Sequence, residues 1–421
     1  MQKIFTILLA LLFTGSGLTF AQKQSKTIQI DGKSQHYQLI GIENRKLGQP
    51  LIIIESDLGG NLESWHRVIS ELPENTPVFA YDRAGNGQSE AFDEIPTPAN
   101  RTKQLKSLLD KLNLAPPYIL VGHGWGGILI KDFALAHLED IEAMIYLDPK
   151  DQSTSKEKMI AIFDREGMEG EKIAVDYFRM RREGFQNVPA GVRAEAEVLL
   201  DFSEGKTRNL KLYDFPEVPS VIFVGGKHVS YMENPMSVSL GMNHQEILNV
   251  LQKNRIADFT EQILAIKNSE LVLISDYIHY LHLQEPEKVG SAILSKYYGK
   301  PSEKIAVASE KYSAEEFEEY LDGLLSYFPE EKLTEAIINM HGYDQLRRDK
   351  PDHALVLFRH NLARFPESAN VYDSMGDGLV ALGKTKDAVP YFEKAVELGE
   401  VSKHRDLGLF KKNLANAKEE K

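Results

Sequence analysis

The chain has 421 residues, 42% of them hydrophobic and 26% charged, a balance that permits a sizeable buried core. Its formal net charge of -13 argues against nucleic acid and anionic membrane surfaces as partners, since both call for a basic face. It has no cysteine, which excludes disulfides, thiolate metal sites and a cysteine nucleophile.

In chain order, Lys3 precedes an apolar run from Ile4 to Phe13, and Thr19-Phe20-Ala21 has the look of a cleavage site. Residues 1–21 therefore predict a signal peptide removed near Ala21, and a periplasmic or secreted protein. The run is short for a membrane span, which needs about 20 apolar residues. No second run of that length follows, so no span is expected once the signal is removed.

From about Thr27 to Gly299, short apolar runs alternate with helical patterns. Leu51–Glu55, Pro77–Asp82, Tyr118–Val121, Ala143–Leu147, Val218–Val224 and Glu270–Ser275 predict strands. Ser64–Leu72, with Trp65, Val68, Ile69 and Leu72 at helical spacing, and Thr97–Leu112 predict helices, as does the stretch after Val121 through His137. This alternation predicts an α/β domain over 22–300, with a doubly wound, mainly parallel sheet covered on both faces. The helical, charged stretch over about 149–217 predicts a lid over the carboxyl ends of the strands.

Residues 301–330, rich in Glu and Lys, predict a helical connector. Beyond it Gly342 and Gly376 stand 34 residues apart, as do Ala354 and Ala388, and Phe358 and Phe392. Pro366 falls at the end of the first unit, and a final helix is expected over Leu407–Lys418. The period and its small/aromatic pattern resemble tetratricopeptide repeats. They predict an all-α repeat tail over 331–418 that packs on the connector, because two repeats rarely stand alone.

Four segments carry a second resemblance. Leu58-Gly59-Gly60-Asn61-Leu62-Glu63-Ser64-Trp65 looks like an oxyanion-hole loop. Asp82-Arg83-Ala84-Gly85-Asn86-Gly87-Gln88-Ser89 is similar to a D-R-x-G-x-G-x-S turn. Val121-Gly122-His123-Gly124-Trp125-Gly126-Gly127 resembles a G-x-S-x-G nucleophile elbow, and Asp276 to Pro286 a catalytic-histidine loop. As a set, and in this order, they resemble the α/β-hydrolase family.

The resemblance implies that Gly124 stands where the family carries its nucleophilic serine. Without a hydroxyl there is no acyl-enzyme at this position and nothing for a base to deprotonate. His279 is the implied base, facing the space a serine side chain would fill. The acid is open between Asp148 and the place after Val224, where Gly225-Gly226-Lys227-His228 offers no carboxylate. The backbone N–H groups of Leu58 and Trp125 are the implied oxyanion donors, and Asp57 would oppose a developing oxyanion if it faced inward. His123 reads as packing. A metal pair from His279 and His282 is disfavoured, so neither a metal site nor a cofactor is expected.

Three functions follow. One is a non-hydrolytic family member that binds a small apolar or ester-like ligand. A second is an ester hydrolase that relies on a His279-activated water or on Ser56 as a displaced nucleophile. A third is an adaptor whose tail binds a protein partner.

Overall fold

The computed structural model describes residues 25–150, 155–206, 215–226, 244–276 and 279–419. The expected signal peptide and cleavage site lie outside the described residues, as do Lys227 and His228.

Eight strands form one sheet: β1 (Ser25–Ile30), β2 (Lys33–Ile40), β3 (Leu51–Glu55), β4 (Val78–Tyr81), β5 (Tyr118–His123), β6 (Ile141–Leu147), β7 (Ser220–Gly225) and β8 (Glu270–Ile274). Their order is β1-β2-β4-β3-β5-β6-β7-β8. Strands β3 to β8 pair in parallel, while β1 with β2 and β2 with β4 are antiparallel. All six strands expected from the apolar runs lie in this sheet. β3, β4, β5 and β7 are buried along their whole length, which is why they read as continuous apolar runs rather than alternating ones. Burying each such Ile, Leu, Val or Phe side chain contributes about 1.5–3 kcal/mol.

The hairpin β1–β2 adds the antiparallel edge. Its turn is Asp31-Gly32, both at positive φ (49° and 78°), the backbone that a tight two-residue hairpin requires. Ser64–Leu72 is less helical than its spacing suggests. Leu62–Trp65 forms a 3₁₀ turn capped by Asn61, followed by a single α-turn, α1 (His66–Ile69). The four apolar side chains nonetheless all turn inward.

The register of the sheet places the site. Glu55 of β3 pairs with Gly122 of β5, and His123 of β5 pairs with Leu147 of β6. The residues just beyond these three strands, Ser56-Asp57, Gly124 and Asp148, therefore emerge side by side at the carboxyl edge, where open α/β sheets place their sites. Helices α2 (Pro98–Lys111) and α3 (Trp125–Ala136) follow β4 and β5. Three helices, α4 (Lys156–Arg165), α5 (Gly170–Gly184) and α6 (Ala190–Ser203), occupy the interval between β6 and β7. Leu199 and Phe202 of α6 pack on Trp125, Ile128 and Leu129 of α3. After β7 come α7 (His244–Leu264) and, beyond β8, α8 (Leu281–Gln284) and α9 (Pro286–Tyr298).

The chain divides into two compact units, the second comprising Arg45–Gln49 and Tyr298–Lys421. This C-terminal region is all-helical: α10 (Pro301–Lys311), α11 (Ala314–Tyr327), α12 (Glu335–Arg347), α13 (Pro351–Arg364), α14 (Ala369–Ala381), α15 (Thr385–Ser402) and α16 (Leu407–Glu419). Ala354, Phe358, Ala388 and Phe392 are all buried in one cluster. A Cβ at Gly342 would lie 2.2 Å from Phe358 Cε1, and one at Gly376 would lie 2.4 Å from Phe392 Cε1. The same glycine–phenylalanine contact thus recurs 34 residues on, because only a glycine lets the ring sit against the helix backbone.

Candidate functional site

The turn from β5 into α3 is built by glycines. A Cβ on Gly122 would stand 2.8 Å from the Gly126 carbonyl oxygen, and one on Gly126 would stand 2.3 Å from that of Glu55. Gly124 has φ 53° and ψ -112°, a conformation that L side chains rarely adopt. Its N–H donates to the Leu147 carbonyl (3.0 Å) and its own carbonyl accepts from the Lys150 N–H (3.2 Å). The sharp strand-to-helix turn of an elbow is therefore present, with the Trp125 N–H at the start of α3.

The space above Gly124 is not empty, contrary to the expectation from the sequence. The Asp57 carboxylate fills it. Its Oδ1 accepts the Trp125 N–H (2.5 Å) and its Oδ2 lies 2.7 Å from His279 Nε2. A Cβ added to Gly124 would fall 2.1 Å from Asp57 Oδ1. The bare backbone at 124 and the inward carboxylate are thus one arrangement: Asp57 can stand there because residue 124 has no side chain.

Asp57 is aimed by its neighbours. The buried Arg83 guanidinium donates to the carbonyls of Ser56 (2.6 Å) and Asp57 (2.9 Å) and to the carboxylates of Glu55 (2.8 Å) and Glu195 (2.8 and 2.9 Å). Arg101 also pairs with Glu195 at 2.7 Å. Asp82, next to Arg83, accepts the N–H groups of Leu62 (2.9 Å) and Gln88 (2.8 Å), which closes the D-R-x-G-x-G-x-S turn onto the loop carrying Asp57.

His279 bridges two carboxylates. Its Nδ1 lies 2.7 Å from Asp148 Oδ2, while Asp148 Oδ1 accepts from Arg255 (2.7 Å) and from the Gly225 N–H (3.3 Å). Asp148, one of the two places open for the acid, meets the imidazole; Lys227 and His228, at the other, lie outside the described residues. Its backbone sits at φ 44°, unusual for a residue with a side chain, and the turn aims the carboxylate across the strand ends.

Burial disfavours the His279 cation, but Asp57 and Asp148 outweigh it and raise the imidazole above its ordinary value. Burial likewise works against the Asp57 anion. His279 foremost, with His123 and Lys150, holds that carboxyl well below its ordinary range. Asp148 is lowered too, with burial opposed chiefly by Arg255 and His279. Two carboxylates thus flank the imidazole, and both favour its protonated form.

Two further histidines stand behind this line. His123 is buried, its Nε2–H donates to the His279 carbonyl (2.8 Å), and burial followed by the His279 charge pushes it down to about 4. His282 is 3% exposed and stacks on Trp65 at 4.8 Å. Burial, then the charges of His123 and His279, push it down to about 2. Ser56 is engaged elsewhere: its Oγ accepts from Trp65 Nε1 (3.0 Å) and donates to the Asn61 carbonyl (3.3 Å). Leu58 packs its side chain against the cluster around Trp125.

Residues 58–289 match the model of the alpha/beta hydrolase family. The chain belongs to the α/β-hydrolase family. Among curated relatives of this chain, the uncharacterized protein YqjL of Bacillus subtilis (strain 168) is 33% identical over 125 residues, 30% of this chain and 47% of that protein. Lipase LipV of Mycobacterium tuberculosis is 35% identical over 85 residues, 20% of this chain and 31% of that one. The chain thus spans about half the length, or less, of these relatives. Among solved structures, a loop variant of a haloalkane dehalogenase from Bradyrhizobium elkanii aligns over 65% of this chain and 96% of its own, at 15% identity and a TM-score of 0.46.

Sequence reasoning placed His279, Asp148, Gly124 and Trp125 at this site and named Asp57 as a neighbour that would matter if it faced inward. It did not see that Asp57 partners His279, nor that Arg255 and Arg83 hold the two carboxylate loops. The available signal was paired: a carboxylate at 57 and a residue without a side chain at 124.

Proposed function

We propose that this hydrolase-family chain does not carry out serine-type acyl transfer and instead uses the site to bind a small molecule. One observation carries the reading. The Asp57 carboxylate takes both the place of the nucleophile's side chain and the Trp125 N–H that would stabilise an oxyanion. An anion at that spot repels the negative charge that develops on an attacked carbonyl. Both ring nitrogens of His279 are engaged, Nδ1 by Asp148 and Nε2 by Asp57, so neither is free to activate a water in this arrangement. Ser56, buried and hydrogen-bonded to Trp65, is a poor displaced nucleophile. Among the described residues, a small cavity of about 10 Å³ lies between Lys150, Tyr177, Arg181, Leu199 and Ser203.

The test combines a serine-reactive phosphonate with ester hydrolysis. The natural chain and Gly124→Ser should both stay unlabelled, the latter because Asp57 obstructs the new side chain. Asp57→Gly with Gly124→Ser should be labelled and should hydrolyse esters slowly, and adding His279→Ala should abolish both. Ester hydrolysis by the natural chain that disappears in His279→Ala would overturn the reading and favour a histidine-activated water.

Two further proposals complete the picture. The apolar run Ile4–Phe13 supports export to the periplasm or beyond, testable by N-terminal sequencing of the mature protein. The recurring glycine–phenylalanine contacts support a tetratricopeptide-type tail. A groove of about 680 Å³ in that unit, lined by Asn339, Tyr343, Asn370 and Arg405 among others, favours a protein partner there. Photocrosslinking from position 340 would test for one.

A further inference from the structure

We propose that Asp57, His123 and His279 form a binding site for one divalent transition-metal ion of the zinc type, with its remaining coordination positions open to water. This ligand set differs from a His279–His282 pair and is independent of whether the elbow performs acyl transfer.

One ligand atom from each of the three residues can be chosen so that all lie within 4.8 Å of one another. Donors at about 2.0–2.2 Å from a tetrahedral ion stand roughly 3.2–3.6 Å apart. The 2.7 Å separation between Asp57 Oδ2 and His279 Nε2 has to open by under an ångström, and no other pair has to close by more than about 1.5 Å. The position the ion would take is now held by the proton shared between Asp57 and His279. Two imidazoles and one carboxylate suit zinc, cobalt(II) or iron(II) rather than magnesium or calcium, which prefer all-oxygen shells.

The supporting shell is what separates this cluster from a chance meeting of polar residues. A metal-bound histidine nearly always donates its second ring N–H to a carboxylate or a backbone carbonyl, which fixes the ring and its tautomer. His279 does so through Nδ1 to Asp148, itself fixed by Arg255 and the Gly225 N–H. His123 does so through Nε2 to the His279 carbonyl, which leaves Nδ1 with the lone pair. The ring of buried His282 lies 4.6 Å from that of His123, and its Nδ1 has no hydrogen-bond partner among the described residues. Imidazoles are thus concentrated at this end of the sheet well beyond what one base requires. Lys150 and Arg255 are the cations acting on the two carboxylates, and they temper the affinity without occupying the ligand atoms.

The experiment uses the full mature chain, stripped with chelator and titrated with cobalt(II), then with zinc(II) in competition. One ion per chain should bind, with a dissociation constant below about 100 µM. X-ray absorption at the zinc edge should show two imidazoles with oxygen ligands. Asp57→Ala and His123→Ala should each abolish the visible cobalt spectrum. Asp148→Asn, which alters a positioning residue, should weaken binding about 10–100-fold while leaving the coordination spectrum recognisable. The edge measurement on the natural chain stands even if a variant fails to fold. Binding weaker than about 1 mM, coordination without imidazole, or binding that survives both Asp57→Ala and His123→Ala would overturn the proposal.

Discussion

Gly124→Ser is the sharpest perturbation of this site. The new Cβ would stand 2.1 Å from Asp57 Oδ1 and 2.3 Å from its Cγ, where nonbonded atoms need about 3.5 Å. Asp57 must therefore leave, losing its bonds to the Trp125 N–H and to His279. Hydrogen bonds to charged groups contribute about 1.5–3 kcal/mol each, so a total loss of roughly 2–4 kcal/mol is expected after partial resolvation. The backbone strain of a side chain at φ 53° adds to this, but it is the same whatever occupies position 57. In an Asp57→Ala background the obstruction is already gone, so Gly124→Ser should cost less there, with a coupling of about 1–3 kcal/mol. Urea unfolding followed by tryptophan fluorescence measures this cycle well. Trp65 and Trp125 are the protein's two tryptophans, and both adjoin the site. Equal costs in the two backgrounds would mean that Asp57 does not occupy the serine's place.

Glu195→Ala removes the counter-ion shared by buried Arg83 and Arg101 and should destabilise the hydrolase unit by about 3–5 kcal/mol in the same assay; an unchanged midpoint would contradict the role given to this network. Gly376→Ala drives a Cβ to 2.4 Å from Phe392 Cε1 and should cost the helical region about 1–3 kcal/mol, read from far-UV circular dichroism with the tryptophan signal unmoved. Asp373 is raised to about 7 by burial first and by Asp377 second. The folded state therefore binds its proton more tightly than the unfolded chain. That stabilisation is complete below the ordinary aspartate value and is lost as pH rises through about 7. Asp373→Asn should accordingly raise the melting temperature of the helical region at pH 8 and change it much less at pH 5, and a gain of equal size at both would dismiss the assignment.

Much of the architecture was legible in the sequence because burial on both faces leaves a plain mark. Leu51–Glu55 and Tyr118–Val121 read as strands from apolar continuity alone. The β1–β2 hairpin was passed over although Asp31-Gly32 announces its turn, since Gln29, Gln35 and Gln38 dilute the alternation around it. Ser64–Leu72 had helical spacing, yet a 3₁₀ turn and one α-turn present the same side chains inward, so periodicity could not tell them apart.

At the site, the sequence by itself determined the elbow. Gly122 and Gly126 leave room for backbone to approach backbone, Gly124 permits the turn, and no hydroxyl stands at its tip. What fills that tip was decided only in three dimensions. Asp57 and His279 are 222 positions apart in the chain, and nothing local says whether an aspartate after a strand points to solvent or inward. Strand register sets residues 57, 124 and 148 side by side, and Arg83 fixes the loop by its carbonyls. The His279 ring and the Trp125 N–H then hold the carboxylate inward. Side-chain direction follows from the sum of these long-range contacts, and a linear reading holds the partners but not their distances.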